Sequence, residues 1–186
     1  GGRGEWRGTA HRALDMGVAV IGWPGRRQRA GALGVGGSGL RVTGLADALM
    51  FCKTRYGAGE GVSLSDRGLS TISDAVYRAS AEIAGEKGSF PLFDAREFLA
   101  RPFVMRLPQH VRSKIAKHGM RNGLLTSIAP TGTISLFAGN VSSGIEPVFA
   151  YRYARKVLQA DGSAREETVE DYAYRAFRAR FGATAA

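Results

Sequence analysis

Residues 124–140 decide the fold, and they read LLTSIAPTGTISLFAGN. The apolar run from Leu124 to Ala129 predicts a short buried strand, and Pro130 ends it because proline has no N–H to donate to a sheet. Ile134 to Ala138 then predict a short helix that ends at Gly139. A strand, a tight turn and a helix N-terminus in this order bring unpaired backbone N–H groups together.

The turn between this strand and this helix carries three hydroxyl groups around one glycine, in Thr131, Gly132, Thr133 and Ser135. Gly132 has no Cβ, so an anion can approach the main chain, and each hydroxyl can add a hydrogen bond. The helix dipole also favours negative charge at this end. The turn therefore predicts a phosphate-binding loop, and an ordinary turn with capping hydroxyls remains the alternative.

The motifs around this turn form one collinear series from about Arg41 to Phe177. They are TGLADAL at 43–49, RYG at 55–57, YRAS at 77–80, FPLFD at 90–94, RN at 121–122, LLTSIAPTGTIS at 124–135, NVSSGIEPVF at 140–149 and VLQADG at 157–162. The series resembles the catalytic subunit of ribonucleotide reductases, and it is most similar to the adenosylcobalamin-dependent (class II) family. A metal-radical (class I) large subunit of the same family remains the alternative.

This resemblance implies an α/β fold that is a portion of the ten-stranded α/β barrel of ribonucleotide reductases, with residues 41–186 as a fragment of the catalytic barrel domain. It implies reduction of ribonucleotides to 2′-deoxyribonucleotides by a thiyl-radical mechanism, in deoxyribonucleotide biosynthesis and DNA replication. The implied cofactor is adenosylcobalamin. The implied partners are the ribonucleotide substrate, the remainder of the reductase chain, a second copy in a homodimer of the full enzyme, and a thioredoxin-like reductant.

The resemblance also implies which residues bind the substrate, because in the family the Pro-Thr-Gly-Thr-Ile segment holds its phosphates. The expected contacts, mainly through backbone N–H groups, are Pro130, Thr131, Gly132, Thr133, Ile134 and Ser135. Glu146 is expected to have a structural role, since the family's catalytic glutamate belongs to a different motif. Asn122, Asn140 and Ser142 are expected to brace the loop.

The catalytic cysteines of the family have no counterpart in this chain. The radical cysteine belongs to an Asn-x-Cys-x-Glu motif that is missing here, and Cys52 is the only cysteine. One cysteine cannot form a redox pair, so we expect no catalytic residue in this chain and no reductase activity from it alone. The single cysteine also fits a reducing cytoplasm. His11 and His110 lack ligand-spaced partners, so no metal site is expected.

The bulk composition is that of a globular enzyme. The 186 residues are 44% hydrophobic, enough for one core-burying domain. No apolar run approaches the roughly 18 residues of a membrane span, so no membrane partner is expected. The start at Gly1 shows neither Met nor a signal-peptide pattern, which favours a fragment or a processed piece.

The net charge of +10 is concentrated at one end of the chain. Residues 1–44 contain seven arginines against two acidic residues, Glu5 and Asp15. A basic module that binds RNA or DNA through residues 1–41 is therefore an alternative function, although no aromatic residues are interleaved on a basic face.

Residues 1–40 form a Gly/Arg-rich segment that we predict to be irregular, apart from a candidate strand at Val18–Ile21. Gly34–Gly39 fits the G-x-G-x-x-G dinucleotide pattern, but no convincing strand leads into it. A flexible or disordered linker and a non-native, misread stretch are the other interpretations. Deletion of residues 1–40 is expected to leave the thermal midpoint nearly unchanged.

The remaining chain alternates between predicted helices and strands. Thr43 is the predicted N-cap of a helix that buries Cys52 on its apolar face, and Lys117 and His118 are predicted charges at a helix end. The other predictions are a loop at Gly57–Gly61, a helix from Leu69 to Ile83 that ends before Gly88, a short helix capped by Asp94, a helix between Pro108 and Gly119 with Val111 and Ile115 inward, a strand from Tyr151 to Leu158, a hairpin turn at Asp161–Gly162, and a final helix from Val169 to Phe181.

Overall fold

The structure is a computed structural model that describes Asp15, residues 25–159 and residues 162–182. Helices and strands are mixed, as the α/β prediction requires. The helices are α1 (Arg26–Val35), α2 (Leu45–Phe51), α3 (Gly59–Lys87), α4 (Ala95–Leu99), α5 (Pro102–Met105), α6 (Gln109–His118), α7 (Gly132–Phe137) and α8 (Tyr172–Phe181), and the strands are β1 (Arg152–Leu158) and β2 (Ala164–Glu170). The chain divides into a first unit of residues 1–40 and 67–127, and a second unit of residues 41–66 and 128–186.

The first unit is built around an apolar core. Val76 from α3, Val111 and Ile115 from α6, and Met120 are completely buried within it. The spacing of Val111 and Ile115 places both on the same face of α6, so the predicted inward stripe of this helix is confirmed.

The ends of α4 and α6 follow the predicted capping residues. The Asp94 carboxylate accepts a hydrogen bond of 2.8 Å from the backbone N–H of Glu97, which satisfies one free donor of α4. Pro108 immediately precedes α6, and Gly119 follows it with φ +79°. Lys117 and His118 occupy the last turn of α6, as predicted.

The long helix α3 begins earlier than predicted. Gly59 and Gly61 were expected in a loop, yet both lie in its first turns. A Cβ at Gly61 would lie 2.5 Å from the carbonyl oxygen of Arg55, so glycine permits the preceding loop to approach the helix closely. The end of α3 agrees with the prediction, because Lys87 is followed by Gly88 with φ +83°.

Part of the segment predicted to be irregular is ordered in the first unit. Residues 26–35 form α1, and Gly36 ends it in the left-handed conformation with φ +61°. The N–H of Gly123 then donates to the oxygen of Val35 at 2.7 Å, and the N–H of Leu40 donates to the oxygen of Leu125 at 2.8 Å. Residues 26–40 are therefore not irregular throughout, while the small expected effect of deleting residues 1–40 on the thermal midpoint stays a prediction.

The same geometry removes the dinucleotide interpretation of Gly34–Gly39. Gly34 lies at the end of a helix, whereas the fingerprint requires a strand that leads into a glycine turn and then a helix. The candidate strand Val18–Ile21 lies outside the described residues.

The buried strand predicted from Leu124 to Ala129 is wrong in this form. The segment is extended, but it makes a single parallel bridge between Thr126 and Leu40. Leu125 is buried, while Leu124 is 64% and Ile128 is 71% exposed. The apolar run therefore buries Leu125 but leaves Leu124 and Ile128 exposed to solvent, so it is not a buried strand.

In the second unit, β1 and β2 form an antiparallel hairpin. The predicted strand from Tyr151 to Leu158 is confirmed to within one residue. The predicted start of the final helix is wrong, because Val169 belongs to β2, where it pairs with Tyr153 of β1. The carboxylate of Asp171 instead caps α8 by accepting from the N–H of Tyr174 at 3.1 Å. In the hairpin turn, Gly162 has φ +83°, and Asp161 lies outside the described residues.

Helix α2 of the second unit departs from two predictions. Its N-cap is Gly44 with φ +80°, and the hydroxyl of Thr43 donates instead to the oxygen of Ser142 at 2.8 Å. The helix ends at Phe51, so Cys52 falls outside its apolar face and is exposed rather than buried.

Candidate functional site

The turn predicted to bind phosphate is a left-handed cap on a short helix. Thr131 has φ +40° and ψ +27°, and its carbonyl oxygen accepts the first helical bond of α7 from Ser135 at 2.7 Å. A β-branched residue rarely adopts this conformation, and residues strained in this way cluster at functional sites. Gly132, by contrast, has no positive φ, so the strained residue of the turn is the threonine before it.

The three hydroxyl groups of the turn point to different surroundings. Thr131 and Ser135 are 9% and 3% exposed, whereas Thr133 is exposed. The Thr131 hydroxyl accepts from the N–H of Gly144 at 2.7 Å and donates to Thr43 at 3.3 Å. These contacts use the hydroxyl of Thr131 to fix the loop, so it is not available to a ligand.

Ser135 is fixed in a similar way. Its hydroxyl donates to the carbonyl oxygen of Gly132 at 2.9 Å, and it lies 3.2 Å from the hydroxyl of Ser143. Of the hydroxyls predicted to contact phosphate, only that of Thr133 faces solvent.

The backbone donors of the turn remain open. Among the described residues, none accepts a hydrogen bond from the N–H groups of Gly132, Thr133 or Ile134. A Cβ built on Gly132 would meet nothing within 4 Å, so the space in front of these donors is clear. Pro130 is exposed immediately before the turn, and its fixed φ restricts the backbone conformation of the residue that leads into Thr131.

A cavity of about 340 Å³ lies beside the turn, within the second unit. Its volume is at the lower end of the range typical of small-molecule sites. Its lining comes from the turn and α7, the segment 140–150, β1 and the start of α8, with the residues Gly132, Thr133, Ser135, Leu136, Asn140, Val141, Ser142, Ser143, Glu146, Pro147, Val148, Phe149, Ala150, Tyr153, Arg155 and Asp171.

Three charged residues line this cavity. Arg155 of β1 and Glu146 are both exposed, while Asp171 is buried. Burial raises the pKa of the Asp171 carboxyl above its ordinary value of 3.8, and the N–H of Tyr174 offsets part of this rise. The negative charge of Asp47 raises the pKa of Asp171 further. The sequence pattern gave no signal for Arg155, because only the register of the hairpin brings it to the cavity.

A polar network fixes the segment that follows the turn. The N–H of Ser142 donates to the carboxylate of Asp47 at 2.6 Å, and the same carboxylate accepts from the N–H of Ala173 at 3.1 Å. The hydroxyl of Ser142 accepts from the N–H of Ala46 at 3.1 Å, at the start of α2. Asp47 therefore connects three segments of the second unit through one buried side chain.

The predicted bracing residues have separate roles. Ser142 belongs to this network, and the Asn140 amide donates to the oxygen of Glu170 at 2.9 Å, so both brace the surroundings of the turn as predicted. Asn122 lies in the first unit, where it contacts Ser80 and Asp15. The Glu146 side chain is exposed, and no contact with a described residue supports its predicted structural role.

The remaining candidates give no second site in the part of the chain that the structure describes. No cluster of three His, Cys, Asp or Glu side chains is present there that could hold a metal ion. His110 lies 3.2 Å from Asp74 on the surface, and His11 is outside the described residues. No helix within the described ranges is long and apolar enough to cross a membrane.

Comparison with known proteins identifies the family. A family model described as "Ribonucleotide reductase, barrel domain" matches residues 5–180. A vitamin B12-dependent ribonucleoside-diphosphate reductase of Mycobacterium tuberculosis is 35% identical over 164 residues, which is 84% of this chain and 21% of the relative. One with the same name from Thermoplasma acidophilum is 38% identical over 122 residues, covering 64% of this chain and 14% of the relative.

A large chain of ribonucleoside-diphosphate reductase from Saccharomyces cerevisiae is also similar, with 31% identity over 132 residues, 66% of this chain and 15% of the relative. The chain thus spans about a fifth of the length of the first curated relatives it matches. The expected α/β barrel class agrees with the family model, since that model is of the barrel domain. Because the match covers nearly the whole chain, this protein belongs to the ribonucleotide reductase family and represents part of its barrel domain.

Proposed function

We propose that this chain supplies the substrate phosphate-binding loop of an enzyme that reduces ribonucleotides to 2′-deoxyribonucleotides. The observation that carries the proposal is the turn at 131–135, whose open N–H groups lie beside a cavity of about 340 Å³. Backbone N–H groups at a helix start are suited to phosphate oxygens. Membership of the reductase family supports a nucleotide as the ligand.

The residues predicted to bind phosphate then divide into two groups. The N–H groups of Gly132, Thr133 and Ile134 donate to the phosphate oxygens, with the exposed hydroxyl of Thr133 as an additional donor. Thr131 and Ser135 act indirectly, because their buried hydroxyls hold the turn in its left-handed conformation. Pro130 directs the chain into the turn.

The finer proposal is the class of reductase. The relatives at 35% and 38% identity are named as vitamin B12-dependent, while the yeast large chain is 31% identical, so we favour the adenosylcobalamin-dependent class over the metal-radical class. When bound, that cofactor supplies the radical that starts the reaction. The cavity described here is smaller than a corrinoid ring system, so we assign the cofactor to another part of the complete enzyme and derive no step through it.

The radical and redox cysteines of the proposed thiyl mechanism also belong to the remainder of the reductase. Cys52 is the single cysteine of this chain and is exposed at a helix end outside the cavity lining. The complete enzyme would act as a cytoplasmic homodimer with a thioredoxin-like reductant. The purified 186-residue chain with adenosylcobalamin should form no deoxynucleotide. Measurable product would contradict the assignment of the catalytic cysteines to the remainder of the reductase.

The phosphate proposal is tested best by Gly132→Val in the complete reductase. Because a Cβ at this position meets nothing within 4 Å, the protein should fold normally while the branched side chain obstructs the anion. We expect the largest loss of nucleotide affinity from this variant and a loss of about 5- to 20-fold from Thr133→Ala. Since phosphates are remote from the reacting carbon, the loss should appear mainly in KM.

Gly68→Val is the matched control. Gly68 is also a helical glycine with nothing within 4 Å of a built Cβ, but it lies on the exposed surface of α3 in the first unit. It should leave nucleotide affinity unchanged at a similar cost in helix propensity. If Gly132→Val bound nucleotide as tightly as Gly68→Val does, the turn would have only a structural role.

A further inference from the structure

Arginine and aromatic side chains meet on the surface of the first unit at α5. Arg101 immediately precedes this helix, and Arg106 immediately follows it. The guanidinium carbon of Arg101 lies 5.5 Å from the ring centroid of Phe98, and that of Arg106 lies 5.8 Å from the ring centroid of Phe103. Both distances are within the range of a cation–π contact, so each guanidinium group is held against a ring.

Tyr77 of α3 joins the two ends of α5 into one surface. Its ring centroid lies 5.6 Å from that of Phe103. Burial raises the pKa of Tyr77 above its ordinary value of 10.0, and the nearby positive charge of Arg101 offsets part of this rise. Phe103 is 46% and Met105 is 57% exposed. We call Tyr77, Arg101, Phe103, Met105 and Arg106 the arginine–aromatic surface.

The apolar core holds the backbone of this surface in place. Val104 and Leu107 of the same segment are 3% and 7% exposed, and both belong to the apolar cluster. The N–H of Met105 also donates to the carbonyl oxygen of Arg101 at 3.0 Å. A surface that is fixed in this way loses little conformational freedom when a partner binds.

The positive charges of this surface are not paired with carboxylates in the described part of the chain. Arg101 and Arg106 form no ion pair with any residue there. Asp74 lies about one helical turn before Tyr77 on α3, but its carboxylate contacts His110 at 3.2 Å. Tyr, Phe, Met and Arg are also the residue types enriched at protein interfaces. The surface thus has the charge and the composition of a docking site for an acidic partner.

An acidic protein segment fits this surface better than a strand of nucleic acid does. Single-stranded nucleic acid stacks its bases on open aromatic faces. Here Phe98 is buried, and the ring of Phe103 already contacts Arg106 and Tyr77. A guanidinium group that stacks on a ring still presents N–H groups at its edges, where a planar carboxylate forms paired hydrogen bonds.

We propose that the arginine–aromatic surface docks an acidic segment of a partner protein. Carboxylates of that segment pair with Arg101 and Arg106, while an apolar side chain of the segment covers Phe103 and Met105. The proposal does not depend on the phosphate loop, because every residue of the surface belongs to the first unit.

The experiment measures binding of a labelled synthetic peptide of glutamate and leucine to the complete reductase by fluorescence anisotropy. The comparison probes are the same peptide with glutamine in place of glutamate, and single-stranded oligothymidylate. The variants are Arg101→Gln, Arg106→Gln and Arg101→Lys. Arg96→Gln is the matched control, because Arg96 is also exposed and makes neither an ion pair nor a ring contact with a described residue.

We expect Arg101→Gln and Arg106→Gln each to weaken binding of the acidic peptide about tenfold, because each loses a charge-assisted pair of hydrogen bonds. Arg101→Lys should restore part of the affinity, since an ammonium group keeps the charge but not the paired geometry. Arg96→Gln should change the affinity less than about twofold. The thermal midpoint should stay nearly unchanged in all four variants, because the substituted side chains are exposed.

Equal binding of the glutamate and glutamine peptides, or binding of neither, would overturn the proposal, because the surface would not recognise carboxylates. An equal loss of affinity in Arg96→Gln and Arg101→Gln would also overturn it, since the attraction would then be a general effect of positive charge. Tighter binding of oligothymidylate that is lost in Arg101→Gln and Arg106→Gln would assign the surface to nucleic acid instead.

Discussion

The two units of the molecule are stabilised by different kinds of buried residue. The first unit contains a continuous apolar cluster with paired aromatic rings. The ring centroids of Phe90 and Phe98, for example, lie 6.3 Å apart in an edge-to-face arrangement. The second unit has few large buried apolar side chains, and its buried residues include Asp47, Ser142 and Asp171. Hydrophobic burial has no direction, whereas a buried hydrogen-bond network requires each donor and acceptor to be matched.

This difference fits the proposed roles of the units. A loop that presents backbone donors to a ligand must hold an unusual conformation, and directional bonds to Thr131 and Ser142 do this more specifically than apolar contacts would. The first unit also buries the polar side chains of Asp15, Ser80 and Asn122, but they lie beside a larger apolar cluster. The stability of the second unit should therefore be more sensitive to the loss of a single buried polar group. The stability of the first unit should be more sensitive to the loss of buried apolar side-chain volume.

The largest expected effect comes from a cavity in the apolar cluster. Ile115→Ala removes a completely buried side chain from α6, and we expect it to lower the free energy of unfolding by about 3–4 kcal/mol. Ile134→Ala is the control, because Ile134 is 52% exposed and should cost less than about 0.5 kcal/mol. Chemical denaturation measures both, and similar values would show that the cluster does not dominate the stability of the first unit.

The next effect tests the polar network. Asp47→Asn keeps the size of the side chain but replaces one acceptor oxygen with a donor that faces the N–H of Ser142 or Ala173. We expect a loss of about 2 kcal/mol, together with weaker nucleotide binding, because the segment after the turn loses an anchor. A stability loss with unchanged nucleotide affinity would separate the network from the candidate site.

A smaller effect on stability is expected from substitution of Thr131, the residue with φ +40° in the turn. Thr131→Ser removes the β-branch that disfavours φ +40° but keeps the hydroxyl that accepts from Gly144. We expect stability to stay within about 0.5–1 kcal/mol of the original, whereas Thr131→Ala should cost more through the lost acceptor. Equal stability of the two variants would mean that the hydroxyl bonds do not hold the loop.

The same contrast explains what the sequence could predict. The apolar periodicity of α6 and the caps at Asp94 and Gly119 are local patterns, and the structure confirms them. The network around Asp47 joins residues up to 126 positions apart, so no local spacing predicts it. Threonine is a common N-cap residue, but the hydroxyl of Thr43 donates to the carbonyl oxygen of Ser142, 99 positions away in the sequence.

At the candidate site, the sequence predicted the turn and its short helix but not the orientation of each hydroxyl. Thr131, Thr133 and Ser135 have the same chemistry, and only the left-handed cap decides which of them faces solvent. Arg155 could not be predicted at all, because its relation to the cavity depends on the register of β1 against β2. The structural role expected for Glu146 followed from the family resemblance, but its side chain is exposed and no contact with the described residues supports that role.

The smallest expected effects concern pH, and the two units should respond with opposite signs. In the first unit, burial alone would raise the pKa of Asp15, but hydrogen bonds from Lys87, Arg121 and Asn122 outweigh it and hold the pKa below 3.8. The stability that Asp15 contributes is therefore present above pH 3.8 and is lost as the pH falls through its folded-state pKa.

In the second unit, burial raises the pKa of Asp171 above 3.8, so its contribution is present below that pH and is lost as the pH rises through the folded-state pKa. Asp171→Asn keeps an N-cap side chain and removes this titration. Relative to the original chain, Asp171→Asn should gain stability as the pH rises above 3.8 through the folded-state pKa of Asp171. The stability deficit of Asp15→Asn should instead shrink as the pH falls below 3.8. Urea midpoints measured on both sides of pH 3.8 for the three proteins test both signs, and a shift of the same sign for the two variants would contradict the assignment of opposite electrostatic environments.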